Sequence, residues 1–358
     1  MIDRREFSTY FLTTLGVLSL PKTVLAMPSV SELQLTHAPL QIMPTIESDS
    51  AWYGTQIKVI GVGGGGCNAI TNMNDQRVPG VEYICVNTDT QALRHSRAHK
   101  TIQLGTSGLS TGGRPKLGHA AASQAQDEIR AAIDGAHMLF IIAGMGGGTG
   151  TGAAPVIARI AKKLDILTVG VVTLPFDFEG KDRWSNAEAG LRNLEAQVGS
   201  VIVLSNEKLL NHLPKDATQN DIFGYVDDLT QCAVCGVAKI LNVLPGANGV
   251  DFEDVKFVLS QSGKTILANV IASGPDRVHH AVDYALTSLA RDGIDLSAAK
   301  AMLMMFSGAE GSWKFSDYSL ARNIFRKYAS PDSSLIYGSV YDESLSEKIR
   351  ITLMVTGV

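Results

Sequence analysis

The sequence predicts an α/β fold in which a parallel sheet covered by helices is joined by a long connector helix to a smaller α+β domain. Three observations carry this expectation. From Ile57 onward short apolar runs alternate with helical stretches. Those runs are apolar on both faces, as strands buried on two sides require. One long amphipathic pattern then separates this half from a second, shorter one.

The strand-like runs of the first half are IKVIGV at 57–62, VEYICV at 81–86, TIQL at 101–104, HMLFIIA at 137–143, LTVGVVT at 167–173 and SVIVLS at 200–205. The connector spans about Asn220 to Leu244, with Ile222, Val226, Leu229, Val234, Val237, Leu241 and Leu244 at three- and four-residue spacings. Thr218 and Asp221 form a capping-box pattern at its start, and Pro245-Gly246 stops it. Runs at 300–306, 334–340 and 348–356 supply the strands of the second domain. The boundaries expected are 57–219 for the sheet domain, 220–246 for the connector helix and 247–358 for the C-terminal domain.

Composition narrows the function. The chain has 358 residues, 45% of them hydrophobic and 18% charged, enough for two packed cores and incompatible with disorder throughout. A formal net charge of −4 offers no overall positive field for a phosphodiester backbone, so no nucleic-acid partner is expected. Four cysteines are too few for a secreted disulfide scaffold and fit a reducing, cytoplasmic compartment. The Cys232/Cys235 pair has no second Cys/His pair to complete a zinc site, so the two read as small core residues and no metal centre is expected.

The N-terminus conflicts with that compartment. Arg4-Arg5-Glu6-Phe7 followed by the uncharged stretch Ser8–Pro21 resembles a twin-arginine export signal, with Val24-Leu25-Ala26 as a cleavage site. The apolar part is too short for a standard transmembrane helix. Residues 1–30 are thus a targeting or membrane-associating segment, an arm, or a stretch upstream of a start at Met27 or Met43. Residues 31–56 read as a linker.

Two glycine runs carry the chemistry. Gly61-Val62-Gly63-Gly64-Gly65-Gly66 leaves a strand and enters a helix, with Asp89 about twenty residues on, which satisfies the GxGxxG dinucleotide fingerprint. Alone it leaves an NAD-dependent oxidoreductase open. The second run, Gly146-Gly147-Gly148-Thr149-Gly150-Thr151-Gly152, follows the 137–143 strand and opens another helix. Backbone N–H groups in such runs approach phosphate closely, and the helix adds a positive dipole end. Two phosphate-type loops on one sheet suit a long polyphosphate better than a nicotinamide dinucleotide. Ser262-Gly263-Lys264-Thr265 lacks the upstream glycine of a P-loop, where Val258 stands, and is read as accidental.

GGGTGTG together with GVGGGGCN resembles the tubulin family and, within it, the FtsZ family of bacterial cell-division GTPases, from about Ile57 to Val358. VNTDTQAL at 86–93, FDFEGKDR at 176–183, SNEKLL at 205–210 and VDFEDV at 250–255 agree in order. The resemblance implies a tubulin/FtsZ-like fold and a GTPase that binds GTP or GDP with Mg²⁺ and polymerises head to tail. On this sequence it places Gly64, Gly65, Gly66, Cys67 and Asn68 around the α- and β-phosphates and Gly148, Thr149, Gly150, Thr151 and Gly152 around the β- and γ-phosphates. It places Glu179 and Arg183 at the ribose and base side, with Asn206 as a further base-side group. Phe223 would stack on guanine and Asp227 would accept from guanine N1–H and the 2-amino group. Asp251 and Asp254 would be presented to the nucleotide of the neighbouring subunit, orienting the attacking water.

The sequence departs from the family in four ways. Cys67 stands where the family often has Gly or Asn, Gly249 replaces an Asn before the catalytic pair, and the stretch between Leu104 and Gly108 before GLSTGGRP is short, with Arg114 of that motif at a position usually filled by a neutral residue. The usual linker and tail that engage membrane tethers are not expected in this chain, so membrane contact, if any, is expected through the N-terminal segment. The expectation is therefore a filament-forming GTPase of the division ring. The alternative is an accessory subunit that holds GTP and copolymerises with a conventional family member.

Overall fold

The computed structural model describes residues 55–73, 78, 80–207, 216–242, 250–261, 264–291 and 294–357. The N-terminal segment, the linker up to Gly54, the Pro245-Gly246 stop, Gly249 and Lys208 to Leu210 of SNEKLL lie outside the described residues.

Elements in the first half alternate as the apolar runs require. Strand β1 (Ile57–Val62) leads into helix α1 (Gly63–Met73), followed by β2 (Val81–Asn87), α2 (Thr90–Arg94), β3 (Lys100–Gln103), α3 (Pro115–Gln124) and α4 (Gln126–Ile133). Strand β4 (Met138–Gly144), α5 (Thr149–Lys163), β5 (Leu167–Leu174), α6 (Lys181–Glu195) and β6 (Ser200–Ser205) complete it. The connector α7 (Gln219–Asn242) begins where Asp221 accepts from the Thr218 N–H at 2.8 Å and from its hydroxyl at 2.6 Å. The second half holds α8 (Phe252–Leu259), β7 (Lys264–Ala272), α9 (Arg277–Arg291), β8 (Ala301–Gly308), α10 (Phe315–Tyr328), β9 (Ser334–Tyr341) and β10 (Ile349–Thr356).

The ten strands of the described residues form one sheet in the order β3-β2-β1-β4-β5-β6-β7-β10-β8-β9. The first six strands pair in parallel. The sheet then crosses into the second half through a short parallel junction, Val201 opposite Lys264 and Ile202 opposite Thr265. A Ser200–Thr265 hydroxyl bond of 2.6 Å reinforces it. Strand β10 runs antiparallel to both β7 and β8.

Alternation along β1 assigns the two faces of the sheet. Ile57 and Val59 pack on the face covered by α1, α7 and α8, with Tyr83, Phe140, Ile70, Val234 and Val258. Ile60 and Val62 face α3–α6, among Ile84, Ile129, Ile157 and Leu194. A third apolar cluster packs α9 and α10 on the second half, around Val282, Phe306 and Phe325. At roughly 25 cal/mol per Å² of apolar surface, such two-sided burial is what offsets the chain entropy of ordering the sheet.

Candidate nucleotide site

Strand order reverses at β1, which has β2 on one side and β4 on the other. In open α/β sheets the crevice at such a switch point, beyond the carboxyl ends of the strands, is where ligands bind. Here it holds a cavity of about 680 Å³, within the usual size for a small-molecule site.

Its floor is made by the two glycine runs. Gly64, Gly65 and Asn68 line it from the start of α1, and Gly144 to Gly150 from the β4–α5 turn. Two helix N-termini, α1 and α5, therefore open on the same space, each with unsatisfied N–H groups and a positive dipole end. A methyl group at Gly64 would meet no atom within 4 Å, so the space above that backbone is free for a ligand. This arrangement fits a polyphosphate.

Four of the residues assigned to the phosphates do not line the cavity. A Cβ on Gly66 would lie 2.3 Å from the Ile142 carbonyl oxygen, so this glycine lets α1 pack onto the sheet. Gly152 plays the same part for α5, where a Cβ would lie 2.0 Å from the Pro115 carbonyl oxygen. The Thr151 hydroxyl accepts from the Gly146 N–H at 2.9 Å and shapes the loop from behind. Cys67 is buried with its Sγ toward the carbonyls of Gly61 (3.7 Å) and Val86 (3.8 Å). The adjacent Cys85 sulfur and burial hold its thiol well above the usual cysteine range. A thiol kept protonated and out of solvent is a poor nucleophile. Iodoacetamide is therefore expected to leave Cys67 unmodified in the native protein and to alkylate it after denaturation, as peptide mass spectrometry would read.

The opposite end of the cavity is built from the 176–183 segment and α7. Glu179 accepts from the Phe176 N–H at 2.9 Å and pairs with Arg183 at 3.0 Å, and both line the cavity. Phe223, 46% exposed, meets the edge of Phe176 and forms part of the wall. Asp227 lies one helical turn along α7, also in the wall, and accepts from the Asn72 side-chain amide at 2.5 Å. Asn206 is 7% exposed, and its Oδ1 is buried with no hydrogen-bond partner. An orphaned buried acceptor in a cavity wall is costly unless a ligand supplies the donor. Asp227 and Asn206 together thus ask for a ligand end rich in N–H groups.

Several wall residues were not singled out from sequence. Ser110, Thr111, Gly112 and Gly113 close the phosphate end, and Asn87, Asp182, Asn186 and Thr230 complete the cavity. Thr149, already assigned, shares hydroxyl contacts with Thr88 at 2.9 Å and Thr111 at 3.5 Å, joining three loops. The motifs VNTDTQAL and GLSTGGRP marked these loops, but the inward-facing side chains depend on loop geometry that the sequence does not expose.

Asp251 and Asp254 lie elsewhere. They form a reciprocal capping box at the start of α8, Asp254 N–H donating to Asp251 at 2.8 Å and Asp251 N–H to Asp254 at 3.2 Å. Phe252 between them packs on His137, ring centroids 6.1 Å apart, just before the first residue of β4. The phosphate loop begins at Gly144, the last residue of the same strand. At about 3.3 Å per residue, roughly 20 Å of strand separates the acidic pair from its own subunit's cavity.

Comparison with known proteins agrees with this geometry. Residues 56–214 match the Tubulin/FtsZ family, GTPase domain, and residues 263–358 match the FtsZ family, C-terminal domain. The chain is 44% identical over 315 residues to the cell division protein FtsZ of Neisseria meningitidis serogroup A, covering 87% of this chain and 80% of that one. It is 42% identical over 305 residues to the Pseudomonas aeruginosa protein of the same name, covering 84% of this chain and 77% of that one. An empty FtsZ dimer from M. jannaschii superposes with a TM-score of 0.78 at 36% identity, over 85% of this chain and 88% of that chain. The chain therefore belongs to the tubulin/FtsZ family, with a match to its GTPase domain followed by a match to the FtsZ C-terminal domain.

Proposed function

We propose that this protein binds GTP in the β1/β4 crevice and hydrolyses it only when a second subunit brings Asp251 and Asp254 to the terminal phosphate, so that filament growth and catalysis are one event. The observation that carries the reading is the separation just described. A binding cavity at the carboxyl end of β4 and an acidic pair near its amino end cannot meet within one molecule, but a head-to-tail copy joins them. A contact between two different faces repeats without closing and builds a filament. The M. jannaschii relative is known as a dimer, and the relatives from Neisseria and Pseudomonas are named for cell division, which supports a role in division.

Within the complete site the backbone N–H groups of both glycine loops hold the phosphates and stabilise charge as the terminal phosphate leaves. The carboxylates of the incoming α8 orient water for attack and accept its proton. Mg²⁺, when bound, neutralises phosphate charge. The Thr111 and Thr149 hydroxyls would be the oxygen groups this chain offers to hold it at that end of the cavity.

Base selection falls to Asp227 and Asn206, whose acceptors match the N1–H and 2-amino donors of guanine and leave adenine unpaired. Replacing Asp227 by Ala is expected to raise the GTP KM about 10- to 100-fold with a much smaller change in kcat, and to narrow the preference for GTP over ATP. A KM that does not move would remove Asp227 from base recognition.

The reading is tested by the rate of GTP hydrolysis as a function of protein concentration, with Mg²⁺ present. A shared site requires a threshold above which the rate per subunit climbs steeply. A constant rate per subunit would contradict it, and GTP bound but uncleaved at every concentration would mark an accessory, nucleotide-holding subunit. Activity on GTP places the folded protein on the cytoplasmic side. Among the described residues no helix is long and apolar enough to cross a membrane.

A further inference from the structure

Behind the phosphate loops, α3, α5 and α6 enclose a second concavity of about 950 Å³ that the nucleotide reading leaves unused. Its basic groups converge from two of the helices and the loop before them. Arg114 and Lys116 stand at the start of α3, His119 one turn later, and Arg159 faces them from α5. Lys162, one turn beyond Arg159, donates to the Ala196 carbonyl on the opposite rim at 3.5 Å. Among the described residues no carboxylate pairs with Arg114, Lys116, His119 or Arg159, and no acidic side chain lines the groove. The acids of α6 lie off its walls, Glu188 in an ion pair with Arg192. In a chain of net charge −4, this is a local field of opposite sign.

The floor between these cations carries the apolar side chains of Pro115, Leu117, Pro155 and Ala189, with Leu117 45% exposed and the buried Val156 beneath. We infer that this groove is a docking site for an acidic amphipathic segment of a protein partner, apolar side on the Leu117–Pro155 floor and carboxylates toward Lys116 and Arg159. Helix-in-groove recognition uses this combination of apolar floor and charged rim. A single-stranded nucleic acid is disfavoured because, among the described residues, no Phe, Tyr or Trp lines the groove as a stacking platform for successive bases. A lipid surface is disfavoured because the floor lies in a concavity between helices that a planar headgroup layer does not enter.

The groove is also wired to the nucleotide loops. A Cβ on Gly118 of α3 would lie 2.4 Å from the Gly148 carbonyl oxygen, and Gly152 of α5 stands as close to Pro115, so the two helices touch through backbone beside the phosphate end. Arg114 directly follows Gly113, which lines both cavities. An occupant therefore presses on the walls that hold the terminal phosphate, and its affinity should differ between the GTP- and GDP-loaded protein, with the reciprocal effect on nucleotide affinity.

The test uses the full-length protein and a fluorescent synthetic helix of about sixteen residues with glutamates on one face and leucines on the other. Three probes are controls: the same helix with lysines, an oligouridine RNA of similar length, and vesicles of phosphatidylglycerol and phosphatidylcholine. The glutamate helix is expected to bind, to weaken as salt is raised, and to lose about tenfold or more in affinity to the K116E/R159E variant. That variant should keep its GTP hydrolysis, which shows it folded. Failure of the glutamate helix to bind, equal binding of the lysine helix, unchanged affinity in the variant, or stronger capture of RNA or vesicles would each overturn the proposal. Because the readout is peptide binding, it stands or falls separately from GTP hydrolysis.

Discussion

Replacing Asp254 by Asn is expected to slow GTP turnover about 10²- to 10⁴-fold while leaving GTP binding and filament formation in place. The magnitude is that of removing a positioned general base. Asparagine retains a side-chain oxygen able to accept from the Asp251 N–H, so the capping box persists and stability should fall by no more than about 1 kcal/mol. The partner substitution Asp251→Ser separates the two roles of the pair. Serine is a good N-cap and can still accept from the Asp254 N–H, but it has no carboxylate. If the pair served only to start α8, both variants would hydrolyse GTP at the normal rate. Turnover measured at saturating GTP, beside a melting curve, distinguishes the two accounts.

A second large effect is expected where glycine is needed for packing. Gly152→Ala places a methyl 2.0 Å from the Pro115 carbonyl oxygen and 2.6 Å from the His119 nitrogen, both backbone atoms that cannot swing aside. Relieving that overlap must part α3 from α5, which is expected to cost about 1–3 kcal/mol or more and to open the phosphate end as well. Gly64→Ala is the contrast. It meets no protein atom, so the fold should keep its stability while the methyl intrudes on the phosphates and weakens nucleotide binding. Denaturant midpoints and nucleotide affinities for the two variants should therefore move in opposite proportion. Equal stability of both proteins would contradict the packing role of Gly152.

These glycines show where sequence reading reaches its end. The runs 61–66 and 146–152 announce phosphate loops, yet the sequence does not separate a glycine that faces the ligand from one that lets two backbones touch. Gly64 and Gly66 stand two residues apart with opposite duties. The apolar runs of the first half place every strand from β1 to β6 to within a residue or two, because most of them are buried on both faces and carry few polar positions to blur them, the edge strand β3 with Lys100, Thr101 and Gln103 being the exception. Strand β7 is missed for the converse reason. Its inward side toward the second-half helices carries Ala268, Val270 and Ala272, mostly small residues that give a weak signal, while Thr265 lies on the other face with the exposed Asn269. The cost of that omission is architectural, since β7 is the strand that continues the sheet into the second half. Cys67 shows the same limit from another side: its position in the motif points to a phosphate, and the turn of α1 directs its sulfur into the core.

The connector was legible because its signals are local. Apolar residues at three- and four-residue spacings and the Thr218–Asp221 box need no tertiary information, and α7 starts within one residue of the expected position. The resemblance named Phe223 and Asp227, and the helix register puts them one turn apart where both reach the cavity. Asn206 depends on the fold, because burial of its Oδ1 is a property of the cavity wall rather than of its neighbours in sequence.

The central claim, one active site made by two subunits, is tested most directly by mixing two variants that are each slow at limiting GTP. Asp254→Asn keeps the cavity and loses the acidic pair's function, whereas Asp227→Ala keeps the acidic pair and loses base recognition. Where an Asp227→Ala subunit presents its Asp254 to the cavity of an Asp254→Asn subunit, every required group is present. Random head-to-tail pairing of equal amounts makes about one interface in four complete, so the mixture should recover up to about a quarter of the wild-type rate at limiting GTP. A mixture no faster than the two variants measured separately would contradict a shared site and return hydrolysis to the single subunit.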